Sequence, residues 1–423
     1  MAITAPKGTR DILPEESYRW IYLEEKIRKL CALYRYEEIR TPMFEKTELF
    51  VRGVGQETDI VQKEMYTFEH RDKESFSLKP EGTAAVVRAY GENKLYSQPQ
   101  PVKLYYITPC FRAERPQKGR YRQFHQFGIE VLGTKSAGID AEVIAVAARL
   151  FVLLQIKNIK LYINSVGCGK CRGDYYEKLK AFLFKNLDAL CADCKKRYEM
   201  NPMRILDCKE ETCQKALQGA PFIVEYLCEE CRQHFDEVKE NLELMGVDYE
   251  INPRIVRGLD YYEKTAFEFV SEDIGAQGTV CGGGRYDGLS ELIGGPPTPG
   301  IGFGLGLERL MMLAEDSLSV KKPPLNIYIA SMGRQAGKKA QQFVEALRTA
   351  GISAEKDAMG RSLKAQMKYA DKSEAENVLI LGEEELKTGV AEIKNMQTGR
   401  QHSVNIETFE QFIANYKAGA EKG

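Results

Sequence analysis

With 423 residues, 43% hydrophobic and 29% charged, the chain is too long for one ordinary core and has the composition of a soluble globular protein of about two or three domains. A formal net charge of −1 excludes global attraction to a polyanion, so any nucleic-acid contact must rest on local basic patches. The first ten residues carry no apolar leader and no later apolar run is long enough to span a bilayer, so no membrane partner and a cytoplasmic location are expected.

Pro14, Glu15 and Glu16 read as the first turn of a helix, along which Leu23, Ile27, Leu30, Cys31 and Tyr34 recur at helical spacing. From 41 to 83 short apolar runs alternate with turns. Glu81 and Thr83 then stand at a turn before a brief helix over 84–90, in positions suited to an N-terminal cap. Residues 102–132 predict two antiparallel strands joined by a basic loop at 114–120. On the second strand a two-residue period places Arg120, Arg122, Phe124, Gln126, Gly128 and Glu130 on one face, and His125, Phe127, Ile129 and Val131 on the core face. Arg112, on the preceding strand, lies near enough to share a ligand with the first face. Paired guanidinium groups suit a phosphoryl group because their planar forks hold oxygens bidentately.

A buried helix is expected over 138–154 and a strand over 159–164, after which 168–243 changes character to cysteine pairs and charged helical stretches, as an insertion would. Strand-like sequence resumes over 249–270. It contains Arg257-Gly-Leu-Asp-Tyr-Tyr262, which sets a guanidinium, a carboxylate and two phenols in one short span. The glycine-rich Cys281-Gly-Gly-Gly-Arg-Tyr-Asp-Gly288 allows close backbone approach. Glycine alternates with larger residues over 300–306 before a helix over 307–313, a spacing that matches neither a dinucleotide fingerprint nor a P-loop. Lys321-Lys-Pro-Pro324 reads as a linker. Beyond it, strands at 326–330 and 378–381 and a helix at 336–350 predict a compact α/β domain.

The insertion carries Cys168 and Cys171, Cys191 and Cys194, Cys208 and Cys213, and Cys228 and Cys231 as four close pairs among eleven cysteines. Without a secretion signal these are reduced thiols packed as small hydrophobes or ligands of structural zinc, and the spacing alone leaves both readings open.

In order along the chain, these elements resemble a class II aminoacyl-tRNA synthetase, in particular the histidyl-tRNA synthetase family. Lys7-Gly-Thr-Arg-Asp-Ile-Leu-Pro14 is similar to that family's N-terminal motif, Phe111-Arg-Ala-Glu114 continued to Gln126 to its motif 2, and Gly302-Phe-Gly-Leu-Gly-Leu-Glu-Arg309 to its motif 3. The stretches 257–262 and 281–288 resemble its two histidine-specific segments.

The resemblance implies an α+β fold, with an antiparallel six-stranded catalytic sheet flanked by helices. The catalytic core would span 1–167, with motifs 1 and 2, and 246–320; an insertion would occupy 168–245, and an α/β anticodon-binding domain 325–423. It also implies a homodimer, with Thr41-Pro-Met-Phe44 in the interface region, and ligation of L-histidine to its tRNA through a histidyl-adenylate, from ATP accompanied by Mg2+. Arg112 and Arg257 would be catalytic, with Arg112, Glu114, Phe124, Arg257 and Arg309 on ATP. Glu81, Gly82, Thr83, Arg112, Gln126, Glu130, Arg257, Tyr261 and Tyr262 would hold histidine. A histidine-biosynthesis regulatory paralogue without catalysis is the alternative, although such chains generally lack the anticodon domain.

Overall fold

The computed structural model describes residues 2–56, 58–256, 261–274, 278–315 and 320–420. The chain forms two compact units, 1–319 and 320–423.

The first helix, Pro14–Leu33, opens on the expected proline and acidic turn and buries Trp20, Leu23, Ile27, Leu30 and Cys31. The expected antiparallel sheet is present: its six long strands run in the order Val102–Phe111, Gln123–Leu132, Gly300–Gly306, Thr279–Arg285, Glu263–Ser271 and Ile159–Ser165, each antiparallel to its neighbours. Two short strands, Glu37–Glu38 and Glu250–Ile251, add parallel edges that their two-residue lengths gave no period to predict. Because Gln123–Leu132 pairs with Gly300–Gly306, two segments far apart in sequence become neighbours at the centre of the sheet, with Gly302 opposite Glu130 and Gly306 opposite Gln126.

The predicted alternation holds for the second hairpin strand from Gln123 onward: Phe127, Ile129 and Val131 are fully buried in the core. Arg120 and Arg122 fall outside it. The strand begins at Gln123, and Arg120 closes a turn by pairing with Gln117, because the chain reverses before the ladder starts. His125, placed on the core face, is only half-buried and engages Glu308.

Behind the sheet lies the helix Ala137–Leu153, and against it packs Glu229–Leu244, the last helix of the predicted insertion. The insertion does not separate as a compact unit of its own: Cys171, Tyr175, Leu179 and Ile205 share one apolar cluster with Val86, Tyr106 and Tyr262 of the catalytic body.

The seam between these layers is ionic. Arg285 and Asp140 are both fully buried and paired, and Asp140 Oδ2 also meets Thr265 Oγ1 at 2.6 Å and His234 Nε2 at 2.9 Å. Burial alone would raise the Asp140 pKa, but the His234 bond and the Arg285 charge outweigh it and hold this carboxyl below the usual range. An ionised carboxylate only accepts, so His234 Nε2 carries the proton.

The second unit is a five-stranded sheet in the order Ala354–Lys356, Leu325–Ser331, Ala375–Leu381, Val390–Asn395 and Gln401–Asn405, parallel over the first three and antiparallel over the last two. Arg334–Thr349, Leu363–Lys372 and Phe409–Ala420 supply its longer helices, as an α/β domain requires.

Asp140→Ala leaves the buried Arg285 guanidinium with Asp287 as its remaining carboxylate partner, so a destabilisation on the order of 3 kcal/mol, the low end for a broken buried pair, is expected from urea unfolding at pH 7. The Asp140 contribution is present above the unfolded carboxyl pKa, near 3.9, and is lost as pH falls through its lower folded value. The gap between the two proteins should therefore narrow below about pH 4.

Candidate active site

A cavity of about 320 Å³ opens over the middle of the catalytic sheet. Glu81, Thr83, Arg112, Glu114, Phe124, Gln126, Tyr261, Tyr262 and Arg309, each anticipated from sequence, all line it. A larger depression of about 710 Å³ on the second unit is lined by Gln341, Gln342, Glu345, Glu410 and small or apolar side chains, with no converging cations. Arg257, expected to complete the site, lies outside the described residues.

One end of the cavity is cationic. Arg112 is anchored by Nε donating to the Pro80 carbonyl at 2.9 Å, with its guanidinium 5.3 Å from the Phe124 ring centroid. Glu114 lies between Arg120, at 3.1 Å, and Arg112, at 3.7 Å. Arg309 donates to the Thr279 carbonyl, and its pKa is lowered by burial first and then by the charge of Arg120. Arg112, Arg120 and Arg309 thus gather on one side of the cavity, with Glu114 bridging the first two.

The other end is a buried acidic and phenolic pocket. The Glu81 carboxylate accepts from the amides of Thr83, at 2.7 Å, and Ala84, at 2.9 Å, so it caps the helix Thr83–Glu92 while also facing the cavity. The Gly82 amide donates to Gln126 Oε1 at 2.9 Å, fixing the orientation of that side chain. Glu130 sits just behind the lining, fully buried, accepting from Thr83 Oγ1 at 2.7 Å, from Tyr106 Oη at 3.4 Å and from Tyr286 Oη. The Tyr261 and Tyr262 rings meet at 4.6 Å, and Tyr286 approaches Tyr261 at 5.6 Å.

Absent side chains make the room. A Cβ at Gly302 would collide with the Glu130 carboxylate, and one at Gly128 with the Tyr106 ring, so glycine at both positions lets acid and phenol lie flat on the sheet.

Several site residues were missed in the sequence. Tyr106 and Tyr286 were given no role of their own in the sequence, yet both hydroxyls reach Glu130. Glu268 and Thr279, on consecutive paired strands, and Glu308, in the first turn of Leu307–Leu313, also face the cavity. Glu308 lies inside the 302–309 motif without a role of its own there, and it accepts from the His125 amide at 2.9 Å.

The model of the family described as histidyl-tRNA synthetase matches residues 8–310, and that of an anticodon binding domain matches 326–416. The chain belongs to the histidyl-tRNA synthetase family. It is 56% identical over 412 residues to a histidine–tRNA ligase of Acetivibrio thermocellus, covering 96% of this chain and 98% of that one. It is 54% identical over 417 residues to a histidine–tRNA ligase of Caldanaerobacter subterraneus subsp. tengcongensis, covering 98% and 100%. Among solved structures, apo S. aureus histidyl-tRNA synthetase superposes with a TM-score of 0.83 at 39% identity, covering 97% of this chain and all of that one. The activity is accordingly that of a histidine–tRNA ligase, a class II enzyme with a C-terminal anticodon-binding domain.

Within this synthetase the Glu130 carboxyl has an unusual charge state. Burial pushes it up from 4.5 to about 8, helped by the neighbouring Glu81 and opposed by bonds from Tyr286 and Thr83. A carboxyl whose folded pKa is raised contributes stability below its unfolded pKa and loses it as pH rises through the folded value. Relative to Glu130→Gln, the unmodified protein should therefore lose stability between about pH 4.5 and about pH 8. Thermal unfolding of both proteins across that range checks this, and a constant difference would show that Glu130 ionises normally.

Proposed function

We propose that this cavity forms histidyl-adenylate from L-histidine and ATP and passes the histidyl group to tRNA, with phosphate chemistry at its cationic end and amino-acid choice at its acidic end. The convergence of Arg112 and Arg309 on one side with Glu81, Gln126, Glu130 and Tyr262 on the other supports this division. The substrate is MgATP, and the ion arrives on the nucleotide. Arg112 holds the α-phosphate and the histidine carboxylate, Arg309 the γ-phosphate, and Arg257 the α-phosphate from the opposite side. Phe124 stacks on adenine with Glu114 at its edge. Charge grows on the α-phosphoryl oxygens as the carboxylate attacks, and fixed cations stabilise it without reorganising. The carboxylate is already ionised, so positioning and electrostatics suffice and no side chain need act as nucleophile.

Glu81, Gly82, Thr83 and Gln126 surround the ligand ammonium, while Glu130 and Tyr262, beside Tyr261, read the imidazole. Neutral imidazole has one donor and one acceptor, so an acid and a phenol test both nitrogens. An apolar isostere would leave these buried groups unpaired and be rejected.

The domain plan of this reading gives 1–167 and 246–320 to catalysis, 168–245 to the insertion and 325–423 to the anticodon. At the hairpin tip Lys118 is exposed toward solvent, whereas Arg122 is held by the carbonyls of Lys7 and Glu114 and Arg120 by the Glu114 carboxylate. Lys118 is therefore the better acceptor-stem contact. Lys338, Lys364 and Lys368 are exposed for tRNA phosphates, while Arg361 is already paired with Asp357 at 2.9 Å. Among the described residues no helix is long and apolar enough to cross a membrane. A cytoplasmic enzyme that meets its tRNA there accords with cysteines that form no disulfide among the described residues.

Histidine-dependent ATP–pyrophosphate exchange tests the division of labour. Arg309→Ala should lower kcat about a hundredfold with little change in KM for histidine, and Tyr262→Phe should do the reverse. Equal effects of the two substitutions on both constants would contradict the assignment.

The homodimer is supported by the sheet of Phe44–Lys46, Ser75–Leu78 and Thr67–Glu69, where the Phe44 ring meets Phe68 at 6.0 Å and Phe76 at 5.8 Å. Phe44 is 51% and Phe68 45% exposed, an aromatic surface suited to burial against a second copy. Phe68→Glu should sediment as monomer where the unmodified chain sediments as dimer.

A further inference from the structure

The reaction uses none of the insertion's cysteines, yet the fold sorts them into two quartets. The pairs nest: Cys168 and Cys171 join Cys228 and Cys231, while Cys191 and Cys194 join Cys208 and Cys213, and within each quartet all sulfurs lie within 4.8 Å of one another. Cys168 Sγ is 3.8 Å from Cys171 Sγ and 3.9 Å from Cys228 Sγ, and Cys191 Sγ is 4.0 Å from Cys208 Sγ. A tetrahedron with zinc–sulfur bonds of about 2.3 Å has sulfur–sulfur edges of about 3.8 Å, whereas a disulfide would need about 2.05 Å. All eight are free thiols.

Amides also point at the sulfurs. Cys228 N donates to Cys171 Sγ and Cys191 N to Cys213 Sγ, both at 3.1 Å. Such donors stabilise thiolate charge, and four clustered thiolates require a cation among them. An all-sulfur tetrahedral set excludes hard oxygen-seeking ions and selects zinc, or iron as its competitor.

The quartets differ in what they touch. The outer one stands where the chain leaves the strand Ile159–Ser165 and returns along Glu229–Leu244. Arg172, adjacent to Cys171, donates to the carbonyl of Val166 at 3.3 Å and to that of Tyr262. Lys264, two residues beyond Tyr262, bonds through its amide to Gly167 O at 2.9 Å and through Nζ to Glu230 at 2.7 Å, between Cys228 and Cys231. The inner quartet touches none of this. Its helix Ala192–Met200 sends Arg197 to Asp59 at 3.0 Å, and Arg204 follows at 3.9 Å.

We propose that each quartet binds one structural Zn2+, and that the outer ion, through Arg172, positions the Tyr262 backbone for histidine recognition, while the inner ion holds the distal insertion and its contacts to Asp59 and Arg254, with no bond to Tyr262. The coupling rests on Tyr262 reading histidine; the two metal sites do not.

Full-length protein purified in reductant and dialysed against metal-free buffer is assayed for zinc and iron by elemental analysis, and for zinc release by mercurial titration. About two zinc ions per chain are expected, falling to about one in Cys231→Ser and in Cys208→Ser. Cys231→Ser should raise KM for histidine about tenfold in pyrophosphate exchange, and Cys208→Ser should leave it near the parent value. Iron in place of zinc, disulfides, or eleven freely titrating thiols with less than about 0.2 zinc per chain would overturn the sites. Two zinc ions with equal KM in both variants would overturn the coupling alone. If Cys231→Ser does not fold, Arg172→Ala takes its place: it should retain both ions and raise KM, and an unchanged KM would again reject the coupling. Tyr262→Phe with unaltered KM would instead fault the reading of the pocket and leave the metal result standing.

Discussion

The buried pair of Arg285 and Asp140 is the constraint on which the catalytic body depends. Two charges with no solvent exposure are costly to desolvate, and such a pair is tolerated only if the remaining hydrogen-bonding capacity is satisfied. Here it is: Arg285 also reaches the carbonyls of Thr134 and Ser136 and the Asp287 carboxylate, while Asp140 accepts from Thr265 and His234. These partners belong to the helix behind the sheet, to two sheet strands and to the last insertion helix. One charge pair thus locks the register of layers that apolar packing alone would leave free to slide. Arg285 and Tyr286 are adjacent and point to opposite sides of the strand end, one to this seam and one to Glu130, so the lock behind the sheet also sets the pocket in front of it.

That pocket was made by subtraction as much as by placement. Side chains withdrawn at Gly302 and Gly128 leave the floor open, and the buried acid and phenols occupy the space. The arrangement is cheap on a central antiparallel sheet, since the backbone ladder keeps the glycine positions rigid when their side chains no longer pack. On an edge strand the same glycines would only loosen the chain.

Local patterns were legible where one period governed one element. The proline and acids before the first helix, the inward row Phe127, Ile129 and Val131, the cap at Glu81 and the order of the motifs could all be read directly. What escaped required pairing between distant segments. Tyr106 and Tyr286 drew no separate reading because nothing local reveals that both hydroxyls converge on Glu130, and Arg120 and Arg122 were misplaced because a turn ended the strand period early. The cysteine spacing announced pairs but was equally compatible with sequential, alternating or nested quartets. Nesting follows from the return of Glu229–Leu244 to the helix behind the sheet, a tertiary fact sealed by His234 on Asp140.

The two ends of the cavity impose opposite electrostatic demands, and the protein separates them by burial. At the cationic end Arg112 and Arg120 keep partial access to solvent and share the Glu114 counter-charge, so their mutual repulsion is screened. At the acidic end burial is nearly complete, and it pushes the Glu130 carboxyl up to about 8. A protonated acid can donate to an imidazole nitrogen, whereas an ionised one can only accept. The Glu81 charge helps to hold the Glu130 proton, so any positive charge placed beside Glu81 favours ionisation of Glu130.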